Sequence, residues 1–227
     1  MAEPALAPET VDVGLRTEPN PELLIQLRPS LLLLSEGFGP SPKRLSTIAP
    51  CMTFPFTDAQ GKPLTVARHS LMQLAERIGK VSEARTHLSH FDMFLASWSR
   101  RLGAKLRKPL LLMSVLDNRH ALVFGRGSLF VEVMEIAGIE NAWQGETNFW
   151  GSAVVGLEQL AGLQDVEVIC FDHDNHFVMQ QMMASPLWQA LPFVRKGNFH
   201  QAPAVWFFGA TLSVMRFCQI VEQALEG

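Results

Sequence analysis

Residues 82–107 read SEARTHLSHFDMFLASWSRRLGAKLR, and this stretch decides the fold. Its apolar residues Ala84, Leu88, Phe91, Phe94, Leu95, Trp98 and Leu102 recur at i, i+3 and i+4, which is one seam of a long helix. Ser82 is expected as its N-cap. About 25 residues at ~1.5 Å each give a rod of ~37 Å, the width of a small domain. The polar side carries Arg85, Arg100, Arg101, Lys105, Arg107 and then Lys108, with no aromatic interleaved for base stacking, so it reads as a solvated face.

Short α/β patterns lie on both sides of this rod. Before it, Val11 to Leu15 is expected as a strand, and Asn20 caps a helix that opens on Pro21 and Glu22 and runs to Leu27. Leu31 to Leu34 is expected as a fully buried strand, SEGFGPSP (35–42) as a loop, Lys43 to Ile48 as a short helix and Met52 to Phe54 as a third strand. That βαβαβ order implies a parallel sheet. Leu64 to Ile78 is helical and ends at Gly79. After the rod, strands are expected at Leu110 to Leu116, Ala121 to Phe124, Val166 to Phe171 and Ala204 to Phe207. Ser128 and Ser152 are expected to cap helices, with further helices through Met179 to Met183 and over Thr211 to Leu225. The expected organisation is α/β: a lobe at 1–81, a connecting helix at 82–107 and a second lobe at 108–227.

Composition narrows the function classes. The 227 residues are 48% hydrophobic and 18% charged with a net charge of -3, which excludes a disordered chain and a global basic field for nucleic acid. No apolar run approaches the ~20 residues that span a bilayer. MAEPALAPET (1–10) has no signal-peptide pattern, which taken alone implies a cytoplasmic protein, although it reads more like an internal loop than a natural start. The three cysteines, Cys51, Cys170 and Cys218, are far apart and read as buried small residues. With 15 Phe, 5 Trp and no Tyr, any aromatic pocket works without a phenol donor.

Ligands of open α/β sheets sit outside the carboxyl ends of strands. What falls there is Arg16, then Ser35, Glu36 and Phe38, then Trp143, Asn148, Phe149, Trp150 and Ser152, then Asp172, His173 and Asp174, and last Trp206, Phe207 and Phe208. This inventory of one cation, large aromatics and a few amides or hydroxyls suits recognition more than chemistry. Asp172, His173 and Asp174 offer an enzymatic alternative as metal ligands or acid–base groups, but neighbours in a loop point apart. The chain contains no GxSxG, P-loop, GxGxxG or paired-cysteine motif.

The strings DVGLRTEPNPELL (12–24), GFGPSP (37–42), LVFGRGSLF (122–130), NAWQGETNFWGS (141–152), FDHDN (171–175), SPLWQALPFVR (185–195) and PAVWFFGATLS (203–213) closely resemble the periplasmic ferric-hydroxamate siderophore-binding proteins of ABC importers. The resemblance runs nearly end to end. It implies two Rossmann-like lobes joined by one long helix, the class III binding-protein fold, with the first lobe truncated at its N-terminal side. It implies a periplasmic, monomeric, non-enzymatic binder whose partners are a ferric hydroxamate and an inner-membrane ABC permease, with no nucleic acid and no membrane span. No cofactor is implied, because the iron travels inside the siderophore. Arg16 matches the family's hydroxamate-binding arginine, Trp150 and Trp206 match cleft walls, and Leu122, Asn148, Ser152 and Phe208 match other lining positions.

Two departures accompany the match. The family's hydroxamate-binding tyrosine falls at Phe38 and another cleft tyrosine at Phe208; Phe38 keeps the wall but loses a hydrogen bond, typically worth ~0.5–1.5 kcal/mol. Glu158 matches a permease-docking acid, whereas the first-lobe counterpart is Lys43, with Glu36 and Asp58 as substitutes. The alternatives are a binder of another iron chelate, cobalamin or haem, and a cytoplasmic metal-dependent enzyme built on Asp172, His173 and Asp174.

Overall fold

The computed structural model describes residues 6–37, 39–173 and 175–226. A small hairpin comes first: β1 (Gly14–Leu15) and β2 (Glu18–Pro19) pair antiparallel about the turn Arg16–Thr17. The Asp12 carboxylate accepts from the Gly14 amide at 2.8 Å, and the Asn20 amide donates to the Val13 carbonyl at 2.8 Å. These bonds draw the segment into a turn, so Val11 to Val13 is not a strand and β1 belongs to no parallel sheet, contrary to the sequence expectation. Helix α1 (Pro21–Leu27) follows, with the Asn20 side chain accepting from the Glu22 and Leu23 amides as its cap.

Strand β3 (Leu32–Ser35), helix α2 (Pro42–Leu45) and strand β4 (Cys51–Phe54) complete the first sheet. β3 and β4 pair parallel from Leu32↔Cys51 to Ser35↔Phe54, and among the described residues the sheet has these two strands. Leu33 is 53% exposed, so β3 alternates between a covered and an open face and is not the fully buried strand its composition suggests. α2 is also shorter than expected, ending after Leu45. Helix α3 (Pro63–Ile78) closes on Gly79 in the left-handed conformation.

Helix α4 (Val81–Lys105) is the long rod. It follows α3 after only Gly79 and Lys80, so Lys80 occupies the cap position and Ser82 lies inside the first turn, which corrects the expected cap. The seam behaves as its spacing predicts: Phe91 and Trp98 are fully buried, Ala84, Leu95 and Leu102 nearly so, and Leu88 and Phe94 half-buried.

The second lobe is built on β5 (Leu110–Val115), β6 (His120–Phe124), α5 (Leu129–Ile136), β7 (Ser152–Gly156), α6 (Leu157–Leu160), β8 (Glu167–Asp172), α7 (His176–Met183), α8 (Pro186–Ala190), α9 (Pro192–Arg195), β9 (Phe199–Pro203) and α10 (Thr211–Glu226). Its strands run in the order β7-β6-β5-β8-β9, with β5, β8 and β9 parallel and β6 and β7 antiparallel to their neighbours. Leu110 and Leu112 pack with Ile169 and Phe171 under α4, α5 and α10. Leu111, Met113 and Val115 pack on the opposite face with Met179, Met182, Trp188 and Phe193. The connecting helix therefore serves as a cover for this sheet.

Two expectations fail in the second lobe. Ser152 does not cap a helix: Ser152–Gly156 is an edge strand, because Val154 and Val155 pair across to β6. The last strand is Phe199–Pro203 and not Ala204 to Phe207. Pro203 closes an edge strand, where its missing amide is tolerated, and this carries Trp206, Phe207 and Phe208 into the loop beyond the sheet. Among the described residues no helix is long and apolar enough to cross a membrane.

Candidate functional site

Strands β3 and β4 of the first lobe and the loop that follows β9 of the second meet at one cavity of about 600 Å³. The first lobe supplies Leu33, Leu34 and Ser35 from β3, Phe54, Pro55 and Phe56 from the end of β4, and Pro63, Ala67, Ser70, Leu71 and Leu74 from α3. The second lobe supplies Trp150 from the loop before β7, and Trp206, Phe208, Gly209 and Ala210 from the loop after β9. Arg16, at the hairpin tip, is the charged residue among the described lining.

The aromatic wall is continuous across the lobes. Phe56 lies 5.1 Å from Trp150 and 5.6 Å from Phe208, centroid to centroid, and Trp150 and Phe208 meet edge-to-face at 5.1 Å. Trp206 meets Phe208 edge-to-face at 5.6 Å. The Arg16 guanidinium carbon sits 5.7 Å from the centre of the Trp206 ring, a cation–π distance. Gly39, at φ +86°, packs against the Arg16 backbone so closely that a Cβ there would lie 2.8 Å from the Arg16 carbonyl oxygen. The Gly/Pro loop thus props the hairpin that carries the cation.

Of the residues the sequence singles out, Arg16, Ser35, Trp150, Trp206 and Phe208 line this cavity. Asn148 and Ser152 stand behind it: Asn148 Oδ1 accepts from the Trp150 amide at 2.8 Å, the Ser152 amide at 3.2 Å and the Ser152 hydroxyl at 3.3 Å. They shape the loop that presents Trp150. Leu122 is half-buried on β6, packed against the core under α5 and α10. Phe38 lies outside the described residues. Phe207 belongs to the core, 4.4 Å from Phe124, and Trp143 packs on the opposite face of the sheet.

Phe56 and the α3 wall escape a reading of the sequence. Phe56 stands two residues past the end of β4, the place where the strand-end rule looks, but the Pro on its N-terminal side makes FPF resemble a plain turn. The α3 residues Leu71 and Leu74 look like ordinary helix core in the sequence, yet both line the cavity.

Among the described residues, the FDHDN segment forms no cluster of groups that could hold a metal. Asp172 Oδ2 lies 2.8 Å from His176 Nδ1, the His173 ring lies 4.9 Å from Phe207, and Asp174 lies outside the described residues. Cys170 and Cys218 are fully buried, and burial pushes both thiols up, that of Cys170 to about 12. Cys51 is only half-buried, unlike the expectation. Glu158, on α6, is exposed beside Arg119 and Gln181, and Lys43 is exposed on α2. Asp58 organises its own loop by accepting from the Gln60 and Lys62 amides.

Comparison with known proteins agrees with this architecture. A family model described as periplasmic binding protein matches residues 2–205. The chain belongs to the periplasmic binding protein family. It is 50% identical over all 227 residues to the iron(3+)-hydroxamate-binding protein FhuD of Escherichia coli K12, covering 76% of that protein. The fold matches the Fe3+–Desferal-bound siderophore-binding protein FhuD of Vibrio cholerae with a TM-score of 0.83 at 24% identity, over 97% of this chain and 83% of that one. It also matches the petrobactin-binding protein YclQ of Bacillus subtilis with a TM-score of 0.76 at 19% identity, over 95% of this chain and 77% of that one. Two α/β lobes joined by one long helix are the class III form of this family.

Proposed function

We propose that this protein captures ferric hydroxamate siderophores in the periplasm and delivers them to an ABC permease of the inner membrane. The observation that carries the reading is the cavity between the lobes, lined by one guanidinium and five aromatic residues. The 50% identity to the E. coli iron(3+)-hydroxamate binder supports it.

The chemistry follows from the ligand. A ferric trihydroxamate holds its iron inside six hydroxamate oxygens, so the protein binds an organic shell and supplies no metal ligand. Arg16 donates to the hydroxamate oxygens, a charge-assisted bond of the stronger kind. Trp150, Trp206, Phe56 and Phe208 cover the apolar arms, and Phe at position 208 offers surface where a tyrosine would also offer a hydrogen bond. The protein acts as a binder, and Glu158 serves as a docking acid towards the permease, away from the cavity.

Calorimetric titration tests this reading. Fe3+–Desferal is expected to bind with one-to-one stoichiometry, while ferric chloride and cyanocobalamin give no saturable heat. Saturable binding of cyanocobalamin or haem with none of Fe3+–Desferal contradicts it.

A further inference from the structure

The start of helix α3 is capped from the opposite lobe. The first amides of a helix have no partner within it, and Lys62, in the cap position of α3, offers them no side-chain bond. Glu132, on α5 of the second lobe, does. Its carboxylate accepts from the Leu64 amide at 2.6 Å, the Thr65 amide at 3.3 Å and the Thr65 hydroxyl at 2.9 Å. Glu132 is 5% exposed. A carboxylate this buried is costly unless hydrogen-bonded, and here the bonds and the positive end of a 16-residue helix both favour it.

The surrounding contacts extend the same junction. Lys62 pairs with Glu135, one turn further along α5. Next to Lys62, a Cβ on Gly61 would lie 3.2 Å from the Gly127 Cα, and a Cβ on Gly127 would lie 3.7 Å from the Gly151 Cα. A Cβ on Gly151 would come within 1.9 Å of the Ser128 nitrogen, so only glycine allows this approach. Gly151 follows Trp150 directly. One junction therefore holds the foot of α3, which forms one wall of the cavity, and the foot of Trp150, which forms the other.

We propose that Glu132 is a positioning residue for ligand capture: by capping α3 from the second lobe it fixes the gap between the α3 wall and Trp150. The ligand readout of this proposal rests on the ferric-hydroxamate reading above, whereas its geometric readout does not.

The test places spin labels at Gln73→Cys, exposed on α3, and Gln181→Cys, exposed on α7, in a Cys51→Ser background. Inter-label distances are measured without ligand, and Fe3+–Desferal affinity is measured by titration. Glu132→Ala is expected to broaden the distance distribution and weaken Fe3+–Desferal binding by about ten-fold. Thr65→Val, which deletes one donor to the same carboxylate, shifts both in the same direction by less, and adds nothing on top of Glu132→Ala. Glu132→Gln keeps an acceptor and recovers part of each effect. Should Glu132→Ala fail to fold, Thr65→Val and Glu132→Gln decide the matter. Distances unchanged in the folded variants overturn the proposal, whether or not affinity falls. A wild-type protein that ignores Fe3+–Desferal sinks the functional reading, and the unliganded distances still decide the role of Glu132.

Discussion

Arg16 occupies the tip of a two-residue hairpin turn, propped from behind by Gly39 and laid over Trp206. Its removal is expected to cost about 1.5–3 kcal/mol of Fe3+–Desferal binding, or one to two decades, as titration of Arg16→Ala will show. Arg16→Lys keeps the charge but loses the planar fork and the stack, so it restores only part of the affinity. Asn148 makes a sharper case. The resemblance places it among lining residues, yet its oxygen is turned into the loop that carries Trp150. Asn148→Ala is therefore expected to weaken binding several-fold, and Asn148→Asp, which keeps the acceptor, to stay near wild type. Equal damage from both would mean that the amide nitrogen contacts the ligand instead. Arg16 and Trp206 were legible because each stands at the end of an expected strand, and Trp150 because it stands beside Gly151 in a polar loop ahead of β7. Phe56 was not, since nothing in FPF distinguishes a ring that bridges two lobes from one that closes a turn.

At the scale of elements, the long helix was the easiest to read, because a seam of large apolar residues over 25 residues has no competing period. The strands were harder. Val154 and Val155 suit a helix face or an edge strand equally, and pairing with β6 settles it. The apolar run at 204–208 drew the last strand five residues too far, although the paired segment is the more polar Phe199–Pro203. Helices α3 and α4 are tied by the Arg68–Asp92 ion pair. The hydrogen bond from Arg68 holds the Asp92 carboxyl below its ordinary value of 3.8. A depressed carboxyl stabilises the fold above its ordinary value and loses that contribution as pH falls through the folded value. Asp92→Asn should thus lower stability at pH 7 by about 0.2–1 kcal/mol, the range for exposed pairs. In thermal melts, the difference from wild type should shrink below about pH 4 and vanish in stronger acid. A difference that persists there would assign the effect to packing.

Among the described residues the two lobes are unequal. The second has a five-stranded sheet covered on both faces, whereas the first has two parallel strands, a separate hairpin and an exposed Leu33. Local opening is easiest where few apolar contacts cover the backbone. Hydrogen exchange should therefore be fast in β3 and β4 and slow in β5 and β8, and uniform protection would show that the thin lobe is held by more than its own sheet. Two lobes and a connecting rod could be read from the order of elements, while this imbalance could not, because it depends on which strands find partners.

The central claim is that a ferric hydroxamate sits between Arg16 and the aromatic wall. Of the five tryptophans, Trp98 and Trp188 are buried and Trp143 packs on the far face of the second sheet, while Trp150 and Trp206 line the cavity. The most direct test is titration of intrinsic fluorescence with Fe3+–Desferal in the wild type and in the Trp150→Phe/Trp206→Phe double variant. The account predicts saturable quenching in the wild type and loss of most of its amplitude in the double variant. No saturable quenching, or quenching of unchanged amplitude without Trp150 and Trp206, would contradict it.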